Sequence, residues 1–172
     1  MEQVKSTDFG GKLIAKLLAT ENISIFQAQV PTASFNVKTR VLTLPMWKDV
    51  TPYTEDHLIG HEVGHALYTP EQGWHDAVCA NEEVFKTYLN VVEDARIEKL
   101  VMRKYPGLKN SFVKSYRGMM DTGFFGGSME AINKMGLIDR INTYYKCGVS
   151  AGVAFSQEEK QFIPMLDALE SW

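Results

Sequence analysis

Few cysteines, few prolines and no long apolar run set the first limits on this 172-residue chain. Its two cysteines, Cys79 and Cys147, stand in no CxxC pair, so we expect neither a disulfide framework nor a cysteine metal site. Both thiols are expected to be reduced and buried as small hydrophobic groups. No stretch reaches the roughly 20 apolar residues that cross a bilayer, and the N-terminus is polar. We therefore expect a cytoplasmic protein without a membrane partner.

The chain also lacks an excess of positive charge, since 18 lysines and arginines stand against 21 acidic residues and the formal net charge is -3. The chain contains no basic run that could hold a phosphate backbone, so nucleic acid is not an expected partner. With 45% hydrophobic and 23% charged residues, the composition is that of an ordinary soluble globular protein large enough for a real core.

Hydrophobic patterns predict a small sheet followed by helices. Alternation predicts strands over residues 23–30, 33–37 and 40–45, the last two as a hairpin or sheet edge that could hold an extended peptide. The 3.6-residue period predicts helices over 9–18, from Thr51 or Thr54 to Tyr68, and from Asn81 to the break at Tyr105-Pro106-Gly107. It predicts further helices over 108–120 and 129–145, and one after a capping box at Ser156. Loops are predicted over 69–75 and 121–128. The fold class is therefore a helix-rich α+β fold.

The most informative stretch is HEVGH at residues 61–65, an HExxH motif inside the helix predicted to end at Tyr68. Helix positions four apart lie on one face, so His61 and His65 can offer two imidazoles to one metal ion. Glu62 would stand beside that ion as a general base, which is the arrangement of a zinc hydrolase. The motif therefore predicts a Zn²⁺ site with Glu62 as a catalytic residue.

A catalytic zinc site needs a third protein ligand. A histidine six residues after His65 is excluded, because that position is Glu71. We prefer Glu93, because helical spacing places it on one apolar stripe with Leu89 and Ile97, where a metal would relieve the cost of burying a carboxylate. The other candidates are Asp94, Glu82, Glu83 and His75.

The acidic segment after residue 90 has a plainer interpretation as well. Glu93, Asp94 and Arg96 could form a solvated or salt-bridged helix face without any metal. Asp94 could also support the site by orienting a ligand histidine through its second ring nitrogen. Both possibilities stay open at the level of the sequence.

Hydrolysis of a peptide bond further needs a donor that stabilises the oxyanion. We expect Tyr116 in this role, with Arg117 beside it as an alternative. The remaining candidates for this donor are Tyr68, Tyr105 and His75.

Two glycines and one further histidine lie in the motif helix. Each of Gly60 and Gly64 costs up to about 1 kcal/mol relative to alanine, so we expect another backbone to approach them closely. His57 lies one turn before His61 and is expected to support the site or lie at the surface rather than bind the metal.

Two segments together, residues 61–70 (HEVGHALYTP) and 90–98 (NVVEDARIE), resemble a known family. They are similar to the metallopeptidase-like N-terminal region of von Willebrand A domain proteins, including those of tailed phages of the T-even group, and more distantly to the cobaltochelatase T subunit. The resemblance covers about residues 35–120. It implies a small zincin fold of the gluzincin type, with His61, His65 and Glu93 as zinc ligands and Glu62 as base.

This resemblance also implies partners and boundaries. Members of the group are often encoded near MoxR-type AAA+ ATPases, so such a motor is an expected partner. The chain has no DxSxS motif of a von Willebrand A domain. We expect a zincin-like core over residues 1–120 and a helical extension over 121–172 that continues in a longer protein.

Three functions are compatible with these patterns. The first is a zinc-dependent metallopeptidase that cleaves a peptide or protein substrate. An alternative is a non-catalytic, zinc-stabilised binding or assembly module that acts with an AAA+ ATPase. The third is a helical protein whose HExxH motif is accidental.

Overall fold

The computed structural model describes residues 14, 17, 20–30, 33–36, 38–46, 50–79 and 83–168, with the backbone alone at 71, 75, 78, 79, 83, 84 and 166. The chain has a helix-rich α+β fold with one small sheet, which confirms the predicted class. In this part of the chain, no helix has the length and apolar character needed to span a membrane. Most of the helix predicted over 9–18 falls outside the described residues, although Ile14 and Leu17 are helical and buried.

Three short strands form the sheet: β1 (Ser24–Ala28), β2 (Ser34–Asn36) and β3 (Val41–Pro45). The order is β1-β3-β2, with β1 parallel and β2 antiparallel to β3. The predicted β2–β3 hairpin is therefore confirmed. The Asn36 carboxamide oxygen accepts the backbone N–H groups of Lys38 and Thr39 at 3.0 Å each, which fixes the turn.

Seven α-helices follow the sheet in the described residues. They are α1 (Pro52–Tyr68), α2 (Glu71–Cys79), α3 (Glu83–Lys104), α4 (Leu108–Asp121), α5 (Met129–Ile132), α6 (Leu137–Cys147) and α7 (Phe162–Asp167). Two short 3-10 helices, Val149–Ala151 and Glu159–Gln161, lie between α6 and α7.

Two predictions about helices were wrong. Residues 71–75, predicted as a loop, belong to α2, because Pro70 ends one helix and its carbonyl accepts the Trp74 N–H that starts the next. Residues 129–145, predicted as one helix, form α5 and α6, which are separated where Gly136 takes a non-helical ψ of 160°.

The predicted capping box at Ser156 is confirmed. The Ser156 N–H donates to Glu159 Oε2 at 2.8 Å, and the Glu159 N–H donates to Ser156 Oγ at 3.2 Å. This reciprocal pair satisfies two backbone donors at the start of the 3-10 helix that leads into α7.

The chain forms two compact units, each built from two stretches of sequence. The first comprises residues 1–68 and 101–115, and the second comprises residues 69–100 and 116–172. The first unit therefore contains the sheet and α1, and the second contains most of α3 together with α5, α6 and α7. The division predicted at residue 120 is not one of these boundaries and stays a prediction.

Candidate metal centre

Helix α1 carries the HExxH motif, and its start was predictable. Thr51 Oγ1 accepts the Thr54 N–H at 3.2 Å, Pro52 takes the first helical position, and Glu55 lies in the first turn near the positive end of the helix dipole. The helix ends at Tyr68, because the residue before a proline disfavours helical geometry.

The two motif histidines lie on one face of α1, as the spacing predicted. The ring centroids of His61 and His65 are 4.8 Å apart, and the ring planes cross at 80°. Both histidines and Glu62 are half-buried, whereas Ile59 and Val63 on the opposite side are fully buried. Core packing of the apolar side therefore holds the polar side of α1 in place.

Gly60 is required by packing, but not in the way that the sequence suggested. A Cβ atom at Gly60 would lie 3.1 Å from both Leu108 Cδ1 and Phe112 Cε2. The close approach at this glycine thus comes from two side chains of α4 and not from a backbone. It brings α4 tightly against the helix that bears the motif.

His57 does not lie at the surface, which was one of its two expected positions. It is buried, its Nδ1 lies 2.8 Å from Ser115 Oγ, and its ring packs edge-on against Phe112 with centroids 4.5 Å apart. One turn earlier along α4, the Ser111 hydroxyl donates to Asp56 Oδ2 at 3.0 Å. Burial raises the pKa of the Asp56 carboxyl, and the Ser111 hydrogen bond offsets part of that rise.

Glu93, the preferred third ligand, is buried as predicted, but its carboxylate is already paired. Arg96 donates from Nε to Oε2 and from its terminal nitrogen to Oε1, both at 2.8 Å, and the Thr69 hydroxyl donates to Oε1 at 2.5 Å. This is the salt-bridged arrangement that the sequence had left open. A role for Glu93 as metal ligand stays a prediction.

The neighbouring Asp94 belongs to a different buried cluster. Its Oδ2 lies 3.1 Å from Lys146 Nζ, which is also 3.8 Å from Glu98 Oε1. Tyr116, the expected oxyanion donor, is buried and donates its hydroxyl proton to Glu98 Oε1 at 2.5 Å. Burial raises the Tyr116 pKa well above its usual value, and the charge and hydrogen bond of Glu98 raise it further.

The other residues considered from the sequence are less informative. Arg117 is exposed and Tyr68 is half-buried. The Tyr105 hydroxyl donates to the Glu21 carboxylate. Nothing is described for Glu82 or for the side chains of Glu83 and His75, so these candidates lie outside the described part of the site. Of the two cysteines, Cys147 is free and half-buried, and burial raises its pKa to about 11.

The candidate ligands belong to different parts of the chain. His61 and His65 lie in the first compact unit, and the carboxylates of Glu93 and Asp94 lie in the second. The sequence had ranked Asp94 as a rival to Glu93. Lys146 was missed, and no sequence signal distinguishes it from a surface lysine at the end of an amphipathic helix.

Comparison of the chain with protein-family models, with curated proteins and with solved structures finds no match.

Proposed function

We propose that the protein is a zinc-dependent metallopeptidase with a zincin-like fold, in which His61, His65 and Asp94 bind the metal and Glu62 is the general base. The observation that carries the proposal is the pair of imidazoles on one face of α1, with ring centroids 4.8 Å apart. We choose Asp94 as the carboxylate because both oxygens of Glu93 already accept hydrogen bonds from Arg96.

The donor set fits zinc by its chemistry. Two histidine nitrogens and one carboxylate oxygen are a set typical of catalytic zinc sites, which keep a further position for water or substrate. The two histidines lie four positions apart on one helix, a spacing at which both imidazoles can bind the same ion.

Glu62 performs the acid–base chemistry in this proposal. It stands between the two histidines in sequence and is half-buried. Its carboxylate accepts the proton of the attacking water and then passes it to the leaving amine nitrogen. When bound, zinc supplies a Lewis acid that acidifies the attacking water and polarises the scissile carbonyl.

A peptide is the substrate class that the fold supports best. Strand β2 lies beside α1, and in the described part of the chain it is an outer strand that pairs only with β3. An extended peptide can add to such an edge by backbone hydrogen bonds, which would run it past the motif helix. The AAA+ ATPase partner implied by the resemblance stays a prediction.

Metal analysis with paired variants tests the proposal. The purified wild type is expected to bind about one zinc ion per chain and to cleave unstructured protein substrates. Glu62→Gln should keep the zinc and lose cleavage, because the base carries no binding role. Asp94→Asn should lose stoichiometric zinc, whereas the matched variant Glu93→Gln should retain it. Circular dichroism establishes that each variant is folded.

The possible results separate the three functions. Zinc that is retained while the wild type cleaves none of a varied set of peptides would indicate the non-catalytic binding module. No stoichiometric zinc in the wild type, with His61→Ala as stable as the wild type, would leave the HExxH motif as an accident. Loss of zinc in Glu93→Gln but not in Asp94→Asn would assign the third ligand to Glu93.

A further inference from the structure

A buried lysine holds the carboxylate that completes the proposed metal set. Lys146 lies near the end of α6, and its side chain is only 15% exposed. Its Nζ is 3.1 Å from Asp94 Oδ2 and 3.8 Å from Glu98 Oε1, and both acidic side chains are also largely buried. A buried ammonium is costly unless it is paired, so its place is determined by these two carboxylates.

The rest of the cluster holds the ammonium in position. Glu98 is itself fixed by the Tyr116 hydroxyl, which donates to the same Oε1 atom that Lys146 approaches. The Tyr116 ring lies beneath the ammonium, with Nζ 5.6 Å from the ring centroid, which is within the range of a cation–π contact. Residues of α3, α4 and α6 therefore together hold Lys146 in contact with Asp94.

We propose that Lys146 is a positioning residue that orients Asp94 for metal binding. It binds Oδ2 and so restricts rotation of the carboxylate, which can bind a metal ion through an oxygen while it accepts a hydrogen bond. Outer partners of this kind orient ligand carboxylates, and their loss typically weakens metal affinity about 10–100-fold. The inference rests on the proposed zinc site.

This role changes what residues 121–172 contribute. The sequence suggested a helical extension that follows a complete zincin core. Lys146 lies in that segment and reaches back 52 positions to Asp94. We therefore expect the segment to be part of the metal centre and not an accessory to it.

Removal of the lysine alone would have two opposite effects on zinc affinity. It would release the Asp94 carboxylate, which weakens binding, and it would make the cluster more negative, which attracts a metal cation. The double variant Glu98→Gln/Lys146→Met avoids this, since it removes one negative and one positive charge. The glutamine side chain that Glu98→Gln introduces is neutral and can still accept the Tyr116 hydroxyl. The matched control is Glu130→Gln/Lys134→Met, which makes the same two changes in an exposed ion pair of 2.7 Å.

Zinc affinity is measured by competition with a chromophoric chelator, on protein whose fold is checked by circular dichroism. Glu98→Gln/Lys146→Met is expected to bind zinc about 10–100-fold more weakly than the wild type, and the exposed control as tightly as the wild type. Lys146→Arg, which keeps the cation, should lie closer to the wild type. If the buried double variant does not fold, Glu98→Gln/Lys146→Gln replaces it, because it makes the same change in charge, and weaker binding is expected again.

The outcomes distinguish this inference from the function on which it rests. Zinc binding by the wild type, together with equal or tighter binding by the buried double variant, would overturn the positioning role and leave the proposed site intact. Failure of the wild type to bind zinc would overturn both. A role in stability alone would lower the melting temperature without changing the zinc affinity of the folded protein, and that result also overturns the inference.

Discussion

The buried pair of Glu93 and Arg96 offers the sharpest test of how α3 is built. The side chains are 4% and 6% exposed, and two N–H···O bonds of 2.8 Å join them. Arg96→Met would leave the Glu93 carboxylate in the interior with only the Thr69 hydroxyl as a described partner. Removal of one member of a buried pair typically costs about 3–5 kcal/mol, so we expect a loss of this size in the free energy of unfolding.

Urea unfolding measures this loss, and a double-mutant cycle separates the pair from its surroundings. Glu93→Gln/Arg96→Met should be less destabilised than Arg96→Met alone, because the uncompensated charge is gone. The exposed substitution Lys134→Met is the control and should change stability by less than about 0.5 kcal/mol. Saturating zinc should stabilise the wild type and Arg96→Met equally if Asp94 is the third ligand.

Two results would refute this reasoning. A loss below about 1 kcal/mol in Arg96→Met would mean that the pair behaves like an exposed ion pair, in conflict with its burial. A much larger zinc stabilisation of Arg96→Met than of the wild type would mean that the freed Glu93 carboxylate binds the metal. The second result would restore the ligand that the sequence favoured.

Two further predictions concern packing and pH. Gly60→Ala should be less stable than Gly118→Ala by about 1–3 kcal/mol in urea unfolding. A methyl group at Gly60 would meet the buried Leu108 side chain at 3.1 Å, whereas nothing lies within 4 Å of such a group at Gly118. Equal stabilities of the two variants would contradict this packing argument. The hydrogen bond from Arg140 lowers the Glu159 pKa from 4.5 to about 2, so this link stabilises the fold above pH 4.5 and is lost as the pH falls through about 2. Glu159→Gln should therefore lower the melting temperature at pH 6 but not near pH 2, and a difference that is independent of pH would refute the link.

Local features of the chain were predictable because they depend on residues close in sequence. The spacing of His61 and His65 places both on one face of any helix, and the Thr51-Pro52 start follows from capping alone. The hairpin of β2 and β3 and the capping box at Ser156 are equally local. Burial of Glu93 also followed from its apolar stripe, since helical periodicity defines that stripe whatever it packs against.

The sequence by itself therefore determined the motif helix, the placement of His61 and His65 on one of its faces, and the burial of an acidic side chain on α3. Only the tertiary structure showed that Glu93 and Asp94 have different partners, because a helix turns by about 100° per residue and neighbouring carboxylates point in different directions. Glu93 pairs with Arg96, and Asp94 pairs with Lys146. The lysine that holds Asp94 is 52 positions away, and such a contact arises from packing, which no local pattern encodes.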